Sequence, residues 1–244
     1  MLGGAAAVTG ISTQSVFGAQ SKYSELGKPG DAAHLAGTIT YTGQGIEVPS
    51  FPVIKDHAIC GEGSRSPKAL RLGDNNAFAD CVVEIKGVPW GKAWDPVFNH
   101  GKIYQIDCSF QPHVQIIRSN AFVEVFNYDP IFHNIHAYEL HNDIRRSMFS
   151  FAQPQAGMVN RIDLNFRRGN LLMLDCNAHN WMAGYVYTSE SPYLAVTSLD
   201  GRFDITDVPP GEYELSIWHP LLGTKTAKLN LAPNANLDLD LKLA

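Results

Sequence analysis

The sequence predicts an all-β protein. Short apolar segments rich in β-branched and aromatic residues recur along the 244 residues, and clusters of Gly, Pro, Asn and Asp separate them. No long segment has the apolar period of an amphipathic helix. Short strands divided by turn signals are typical of β-sandwiches and barrels. The predicted strands are 37–41, 82–85, 121–126, 171–174, 185–187, 203–205 and 213–217.

The C-terminal region carries the clearest turn signals. An Asp-Gly pair at 200–201 and a Pro-Pro-Gly run at 209–211 each predict a hairpin turn, because Asp-Gly favours positive φ angles and proline ends a strand. Leucines alternate with Asp or Lys over 237–243, which predicts a strand with one buried and one solvated face. The run 197–215 resembles the carboxypeptidase regulatory-like (transthyretin-like) β-sandwich. That resemblance implies a fold and not peptidase activity.

Four side chains have the composition of a copper site. Cys176, His179 and Met182 follow an apolar strand at positions i, i+3 and i+6, so one tight loop can place three donors around a point, and His133 supplies a fourth. Soft thiolate and thioether donors suit copper, and two His, one Cys and a weak axial Met form a blue electron-transfer site. Zinc sites do not typically use Met. We therefore predict one copper ion of type 1.

The sequence around these residues resembles that of a known family. Asn127, the run His133-Asn134-Ile135-His136 and the ligand loop 176–182 are similar to the amicyanin and plastocyanin type of cupredoxin, over residues 114–188. The resemblance implies a Greek-key β-sandwich in which His133, Cys176, His179 and Met182 are the ligands. It also implies that His136 is not a ligand.

Asn134 is the candidate for a residue that supports the ligands from outside. Because it directly follows His133, its side chain could tie that segment to the Cys176 loop by hydrogen bonds. A simple turn-forming Asn is the alternative. We also expect His179 near the surface, where it could form an apolar docking patch with Trp181 and Pro130. Burial of Trp181 in the core is the other possibility.

Three further histidines could extend the metal chemistry. His113, His136 and His219 could form a second metal site or enlarge the first. Histidines on strands and loops are more often hydrogen-bonded or solvated, and that is the alternative. His136 and Glu139 also spell a His-x-x-Glu zinc motif, which we interpret as accidental because no long α/β core accompanies it.

The position of the copper motif predicts a domain insertion. We expect the first part of the regulatory-like sandwich at residues 34–98, the cupredoxin domain at 102–188 and the second part of the sandwich at 190–244. Insertions at exposed loops are tolerated because the termini of a domain tend to lie close together. Two domains in simple tandem are the alternative.

The N-terminus and the cysteines bear on the compartment. Residues 1–20 are small, apolar and uncharged and resemble an export signal without its cationic start, so we interpret them as a truncated signal, with a disordered tail as the alternative.

If Cys176 binds the metal, three cysteines remain and allow one internal disulfide. We expect Cys60 to pair with Cys108, and three buried reduced thiols are the alternative. A periplasmic or otherwise extracytoplasmic location follows.

Charge and hydropathy exclude other classes of function. The formal net charge is −5 and no basic run occurs, so nucleic acid is not an expected partner. No segment approaches the roughly 20 apolar residues of a membrane-spanning helix.

The leading hypothesis is an exported protein that transfers single electrons between redox partner proteins. It would not be an enzyme, because the full ligand set leaves no open position for a substrate. A copper carrier or store without electron transfer is one alternative. A β-sandwich that binds other molecules without metal is another.

Overall fold

The computed structural model describes residues 9–12, 22–44, 47–67, 70–142 and 144–244. Within these ranges the chain is mainly β-strand, which confirms the predicted all-β class. None of the helices found there has the length and apolar character needed to cross a membrane. They are α1 His57–Cys60 and two 3-10 turns at Asp74–Asn76 and Pro96–Asn99.

The strands include every segment predicted from periodicity, except that Ala121 lies just before its strand. In the first half of the chain they are β1 Thr9–Ser12, β2 Ser24–Glu25, β3 Ala33–Tyr41, β4 Phe51–Pro52, β5 Ser64–Arg65, β6 Val82–Lys86, β7 Trp90–Gly91, β8 His100–Ile106, β9 Ser109–Gln111 and β10 Val114–Arg118. In the second half they are β11 Phe122–Asn127, β12 His133–His141, β13 Ile144–Gln153, β14 Val159–Asp163, β15 Leu171–Cys176, β16 Ala183–Ser189, β17 Leu194–Val196, β18 Arg202–Val208, β19 Gly211–His219, β20 Gly223–Leu231 and β21 Asn236–Leu243.

The chain divides into two compact units. Unit 1 consists of residues 1–45, 70–95 and 190–244, and unit 2 consists of residues 46–69 and 96–189. Unit 2 therefore interrupts unit 1 twice along the chain.

Unit 1 contains two main sheets. One is five-stranded in the order β1-β20-β19-β6-β17, and the other is three-stranded in the order β18-β3-β21. Burial alternates along β3, where Leu35 and Ile39 are fully buried. The predicted alternating strand is β21, which runs parallel to β3, with Leu241 and Leu243 buried and Lys242 exposed between them. The leucines therefore contribute to the core while the charged residues stay in water.

The prediction of two hairpins in the C-terminal region is wrong. The chain does change direction at both places, and Gly201 has the positive φ of 72° that its Asp-Gly pair favours. However, β17 pairs with β6, β18 pairs with β3, and β19 pairs with β6 and β20. Each turn thus passes the chain from one sheet to the other, because turn residues determine a change of direction but not the partner of the next strand.

Unit 2 is a β-sandwich. Its five-stranded sheet has the order β10-β16-β15-β12-β13, and its four-stranded sheet has the order β14-β11-β8-β9. One apolar cluster contains Ile103 and Val123 from the smaller sheet together with Ile135, Leu172 and Val186 from the larger one. The core therefore lies between the two sheets, as in other sandwiches.

Residues 46–69 belong to unit 2, although the sequence assigns 34–98 to the first part of the other sandwich. The segment carries α1 and the short β4–β5 hairpin. A disulfide between Cys60 and Cys108 and hydrogen bonds from Arg65 hold it to the β8–β9 turn. These contacts join residues far apart in sequence, so periodicity gives no sign of them.

The predicted export signal lies mostly outside the described residues. Of residues 1–20 the structure describes only Thr9–Ser12, which pair with β20 at the edge of the five-stranded sheet.

Candidate metal centre

Three of the four predicted ligands come together at one end of the unit 2 sandwich. His133 begins β12 and Cys176 ends the neighbouring strand β15, where Ile135 lies directly opposite Cys176. β15 is apolar and its Leu172 and Leu174 are fully buried, so core packing determines where the thiol lies. His179 follows on the loop to β16, and all three donor side chains are at most 2% exposed.

The donor atoms form a small triangle. The distance from Cys176 Sγ to His133 Nδ1 is 3.6 Å, that from Sγ to His179 Nδ1 is 3.7 Å, and the two Nδ1 atoms are 3.1 Å apart. A point about 2.0 Å from all three atoms therefore exists, close to the roughly 2.0–2.3 Å of metal bonds to imidazole and thiolate. The donor set thus fits a single metal ion.

Two backbone hydrogen bonds shape the ligand loop. The N–H of His179 donates to the carbonyl of Cys176 at 3.1 Å, and the N–H of Met182 donates to the carbonyl of His179 at 3.0 Å. Two successive tight turns therefore carry the chain from the thiol to Met182. Met182 is 2% exposed and belongs to the same apolar cluster as Cys176. The predicted axial ligand is thus buried in the same part of the core.

Each of the two histidines is hydrogen-bonded through its Nε2 atom to a carboxylate. His133 Nε2 lies 2.9 Å from Asp129 Oδ2, and His179 Nε2 lies 3.0 Å from Asp56 Oδ2. A carboxylate can only accept, so each Nε2 carries a proton and donates it. The Nδ1 atoms then face each other and the sulfur. Metal-binding histidines are typically oriented in this way.

Asn134 connects the two segments that carry ligands. Its Oδ1 accepts a hydrogen bond from Asn177 Nδ2 at 3.1 Å and another from Ser150 Oγ at 3.1 Å. Its backbone carbonyl accepts from the N–H of Asn177 at 2.8 Å. The strand that starts at His133 is therefore joined to the loop that starts at Cys176 by both backbone and side chain.

The electrostatics favour a thiolate. Burial opposes ionisation of Cys176, but its interactions with His133, His179 and the backbone N–H of Asn134 outweigh it and lower the pKa of the thiol to about 6. Burial also disfavours the charged form of His133, yet Asp129 and Cys176 raise its pKa. The pKa of Asp129 is lowered despite burial, because His133 and two backbone N–H groups donate to it. The negative charge that a metal requires is thus present in the folded protein.

The expected exposure of His179 is wrong. His179 is 0% exposed and Trp181 is 4% exposed, so they form no surface patch with Pro130, which is exposed. Asp56 covers the edge of the His179 imidazole that we predicted to lie at the surface. Trp181 donates its indole N–H to the carbonyl of Cys108 at 3.1 Å. Residues 46–69 and the β8–β9 turn supply these contacts.

The other histidines have different partners. His136 is hydrogen-bonded to Ser147 Oγ and to Tyr138 OH, each at 2.7 Å. Nδ1 of His113 lies 3.0 Å from the carbonyl of Ala183. His219 lies in unit 1, where its ring packs at a tilt against Phe78 with the centroids 4.2 Å apart. Across the described part of the chain, the groups of donors close enough for a metal include none of these three histidines.

Glu139 of the His-x-x-Glu motif has a structural environment. It is 2% exposed and accepts the backbone N–H groups of residues 167–169, and Arg146 Nε donates to it at 2.7 Å. The motif therefore anchors the loop before β15.

A disulfide lies beside the centre. Cys60 and Cys108, the pair expected from the sequence, are joined with their Cα atoms 5.2 Å apart, and Cys81 and Cys176 are free. Donor atoms of Cys60, Cys108 and His179 all lie within 4.8 Å of one another. The disulfide therefore lies close to the imidazole of His179.

Sequence reasoning missed both carboxylates. Asp129 had a local signal, because it lies four residues before His133 in the turn ordered by Asn127, whose Oδ1 accepts the N–H of Asp129. Asp56 lies 123 residues before His179, and its role depends on the tertiary fold.

Solved structures resemble part of the chain. Amicyanin from Paracoccus versutus is 14% identical, with 37% of this chain and 81% of that chain covered and a TM-score of 0.31. A purple cupredoxin from Nitrosopumilus maritimus is 20% identical, with 36% and 99% covered and a TM-score of 0.28. A copper-containing nitrite reductase from Thermus scotoductus is 23% identical, with 41% and 24% covered and a TM-score of 0.29.

No family model matches the chain, and no curated protein matches it.

Proposed function

We propose that the protein is an exported type 1 copper protein that transfers single electrons between redox partner proteins. The single observation that supports this function most strongly is the buried triangle of two imidazole Nδ1 atoms and one thiolate sulfur, with Met182 in the same loop. Two His, one Cys and a weak axial Met are the ligands of blue electron-transfer sites.

The protein's own residues would form a rigid binding site for the copper ion. A bound copper ion would supply a couple between Cu(II) and Cu(I). Cys176 offers a thiolate at neutral pH, while Asp129 and Asp56 fix the two imidazole rings. Because all four proposed ligands are buried in a packed core, their positions need to change little when an electron enters or leaves.

The same burial argues for electron transfer over catalysis. Two carboxylates close the outer edges of the histidines, and Met182 is 2% exposed. A substrate would need a vacant position at the metal, and a set of four protein ligands leaves none. Unit 2 would be the cupredoxin domain, and unit 1 the regulatory-like sandwich that carries or docks it.

The proposed compartment is periplasmic or otherwise extracytoplasmic. The Cys60–Cys108 disulfide supports it, because structural disulfides persist mainly in oxidising environments.

The decisive experiment is a visible spectrum of the purified protein after addition of one equivalent of Cu(II), with Cys176→Ser as the variant and Cys81→Ser as the matched control. We expect an intense charge-transfer band from thiolate to copper in the wild type and in Cys81→Ser, and none in Cys176→Ser. Cyclic voltammetry should then show a reversible one-electron couple.

Other outcomes lead to different conclusions. A band that survives in Cys176→Ser would exclude the proposed thiolate ligand. Tight copper binding without a reversible couple would favour a carrier or store, and an absence of copper binding would favour a metal-free interaction module.

A further inference from the structure

We propose that Asp56 is a positioning residue of the metal centre, which fixes the imidazole ring of His179 and closes its outer edge. The inference rests on the proposed function in one respect, since it takes a metal to be what Nδ1 of His179 binds.

The orientation of His179 depends on its two nitrogens. Its Nδ1 lies 3.7 Å from Cys176 Sγ and 3.1 Å from His133 Nδ1, whereas its Nε2 lies 3.0 Å from Asp56 Oδ2. A neutral imidazole has one N–H, and an accepting carboxylate places that proton on Nε2. The lone pair of Nδ1 is then directed toward the other donors. Without Asp56, the ring loses the contact that selects this orientation.

The backbone conformation of Asp56 is consistent with the contact to His179. Asp56 precedes α1 at the N-cap position, where an aspartate side chain usually accepts a hydrogen bond from the helix. Here it makes no such bond, and the residue adopts a left-handed conformation with φ 56° and ψ 32°. Few non-glycine residues adopt this conformation, and aspartate is among those that do so more often. The carboxylate is therefore directed to His179 instead of to its own helix.

The segment around Asp56 is fastened to the rest of unit 2. The carbonyl of Asp56 accepts the N–H of Cys60 at 2.9 Å, and Cys60 forms the disulfide with Cys108. The N–H of Cys108 in turn donates at 3.0 Å to Asp129 Oδ2, the oxygen that also binds His133. The disulfide thus joins the two carboxylates that orient the two histidines. Loss of the Asp56 contact should affect one ring and leave the other in place.

Two substitutions separate the parts of this role. Asp56→Ala removes both the acceptor and the charge, whereas Asp56→Asn keeps an oxygen that can accept from Nε2–H and loses only the charge. Glu62→Gln is the matched control, because it removes one negative charge from an exposed position on the same segment. Melting of the metal-free variants shows whether each one is folded.

The first readout is independent of copper. In the Zn(II)-loaded protein, the Nε2–H of His179 can be followed by ¹⁵N-resolved NMR. We expect slow exchange with solvent in the wild type, in Glu62→Gln and in Asp56→Asn, and fast exchange in Asp56→Ala.

The second readout uses copper itself. Competition with a chelator should show a loss of copper affinity of about 10–100-fold in Asp56→Ala, the usual effect of removing a partner of a ligating histidine. Asp56→Asn should lose less affinity, because the hydrogen bond remains. Both variants should have a higher reduction potential than the wild type and Glu62→Gln, because a nearby negative charge favours Cu(II) over Cu(I).

The results distinguish this inference from the proposed function. If the wild type binds copper with an intense visible band, but Asp56→Ala matches Glu62→Gln in exchange rate, affinity and potential, the role of Asp56 is overturned and the proposed function stands. If the wild type binds no copper, the proposed function is overturned, and this inference is overturned with it only if Asp56→Ala also matches Glu62→Gln in the Zn(II)-loaded protein.

Discussion

Oδ2 of Asp129 lies 2.9 Å from Nε2 of His133, and the same oxygen accepts the backbone N–H of Cys108 at 3.0 Å. Its other oxygen accepts the N–H of Asp107 at 2.8 Å. One buried carboxylate therefore orients a predicted ligand and also closes the β8–β9 turn that carries the disulfide. Binding of a metal and folding of this turn depend on the same side chain.

Replacement of Asp129 should weaken both metal binding and the folding of the β8–β9 turn. Asp129→Ala leaves two backbone N–H groups and one imidazole N–H without their acceptor, which should lower the free energy of unfolding by about 2–3 kcal/mol. Copper affinity should fall by about 10–100-fold. Urea unfolding of the metal-free protein and chelator competition measure the two effects. The matched control is Asp163→Asn, an exposed carboxylate paired with Arg161, for which we expect a change of at most about 1 kcal/mol. Normal affinity in Asp129→Ala would contradict the orienting role.

The disulfide should contribute a large part of the stability of unit 2. It closes a loop with a sequence separation of 48, for which chain entropy gives about 4 kcal/mol. The double variant Cys60→Ser and Cys108→Ser should therefore unfold at a much lower urea concentration than the wild type. Dithiothreitol serves as the control, because it should shift the wild type toward the double variant and leave the double variant unchanged. A wild type that is equally stable before and after reduction would contradict this prediction.

The two free cysteines should titrate very differently. Interactions with two histidines and a backbone N–H overcome burial and lower the pKa of Cys176 to about 6, whereas burial raises the pKa of Cys81 to about 12. Thiolate absorption of the metal-free protein should therefore appear with a midpoint near pH 6. It should be fully present above this pH and lost as the pH falls through it.

Two variants assign the signal. Cys176→Ser should abolish the transition near pH 6, and Cys81→Ser should keep it. A midpoint near the ordinary thiol value of 9.0 in the wild type would show that the histidines do not stabilise the thiolate.

Local sequence carried the information for most of the centre. Cys176, His179 and Met182 lie within one short loop after an apolar strand, so their proximity follows from chain connectivity alone. The strand positions also followed from periodicity, because alternation of buried and exposed side chains is a local property.

Features that depend on distant contacts were not predictable in the same way. The burial of His179 depends on Asp56, which lies 123 residues earlier on a segment that the disulfide fastens to unit 2. Likewise, the Asp200-Gly201 turn was recognisable, but the sheet joined by the following strand depends on the pairing of β18 with β3. Neither contact leaves a periodic pattern in the sequence.

Glu139 should make the stability of unit 2 depend on acid pH. Its buried carboxylate accepts the N–H groups of residues 167–169 and hydrogen bonds from Arg146. Although burial opposes ionisation, these donors lower its pKa from 4.5 to about 2. A lowered pKa means that the stabilisation is fully present above pH 4.5 and is lost as the pH falls toward 2.

Glu139→Gln should therefore be less stable than the wild type by about 2–3 kcal/mol at neutral pH, because the amide cannot replace a carboxylate that accepts several hydrogen bonds. The difference should shrink as the pH falls from 4.5 toward 2. Urea unfolding of both proteins across this range measures it, with Glu124→Gln, at a half-buried position on β11, as the matched control. A difference that stays constant down to pH 2 would mean that the Glu139 charge is not what stabilises the loop before β15.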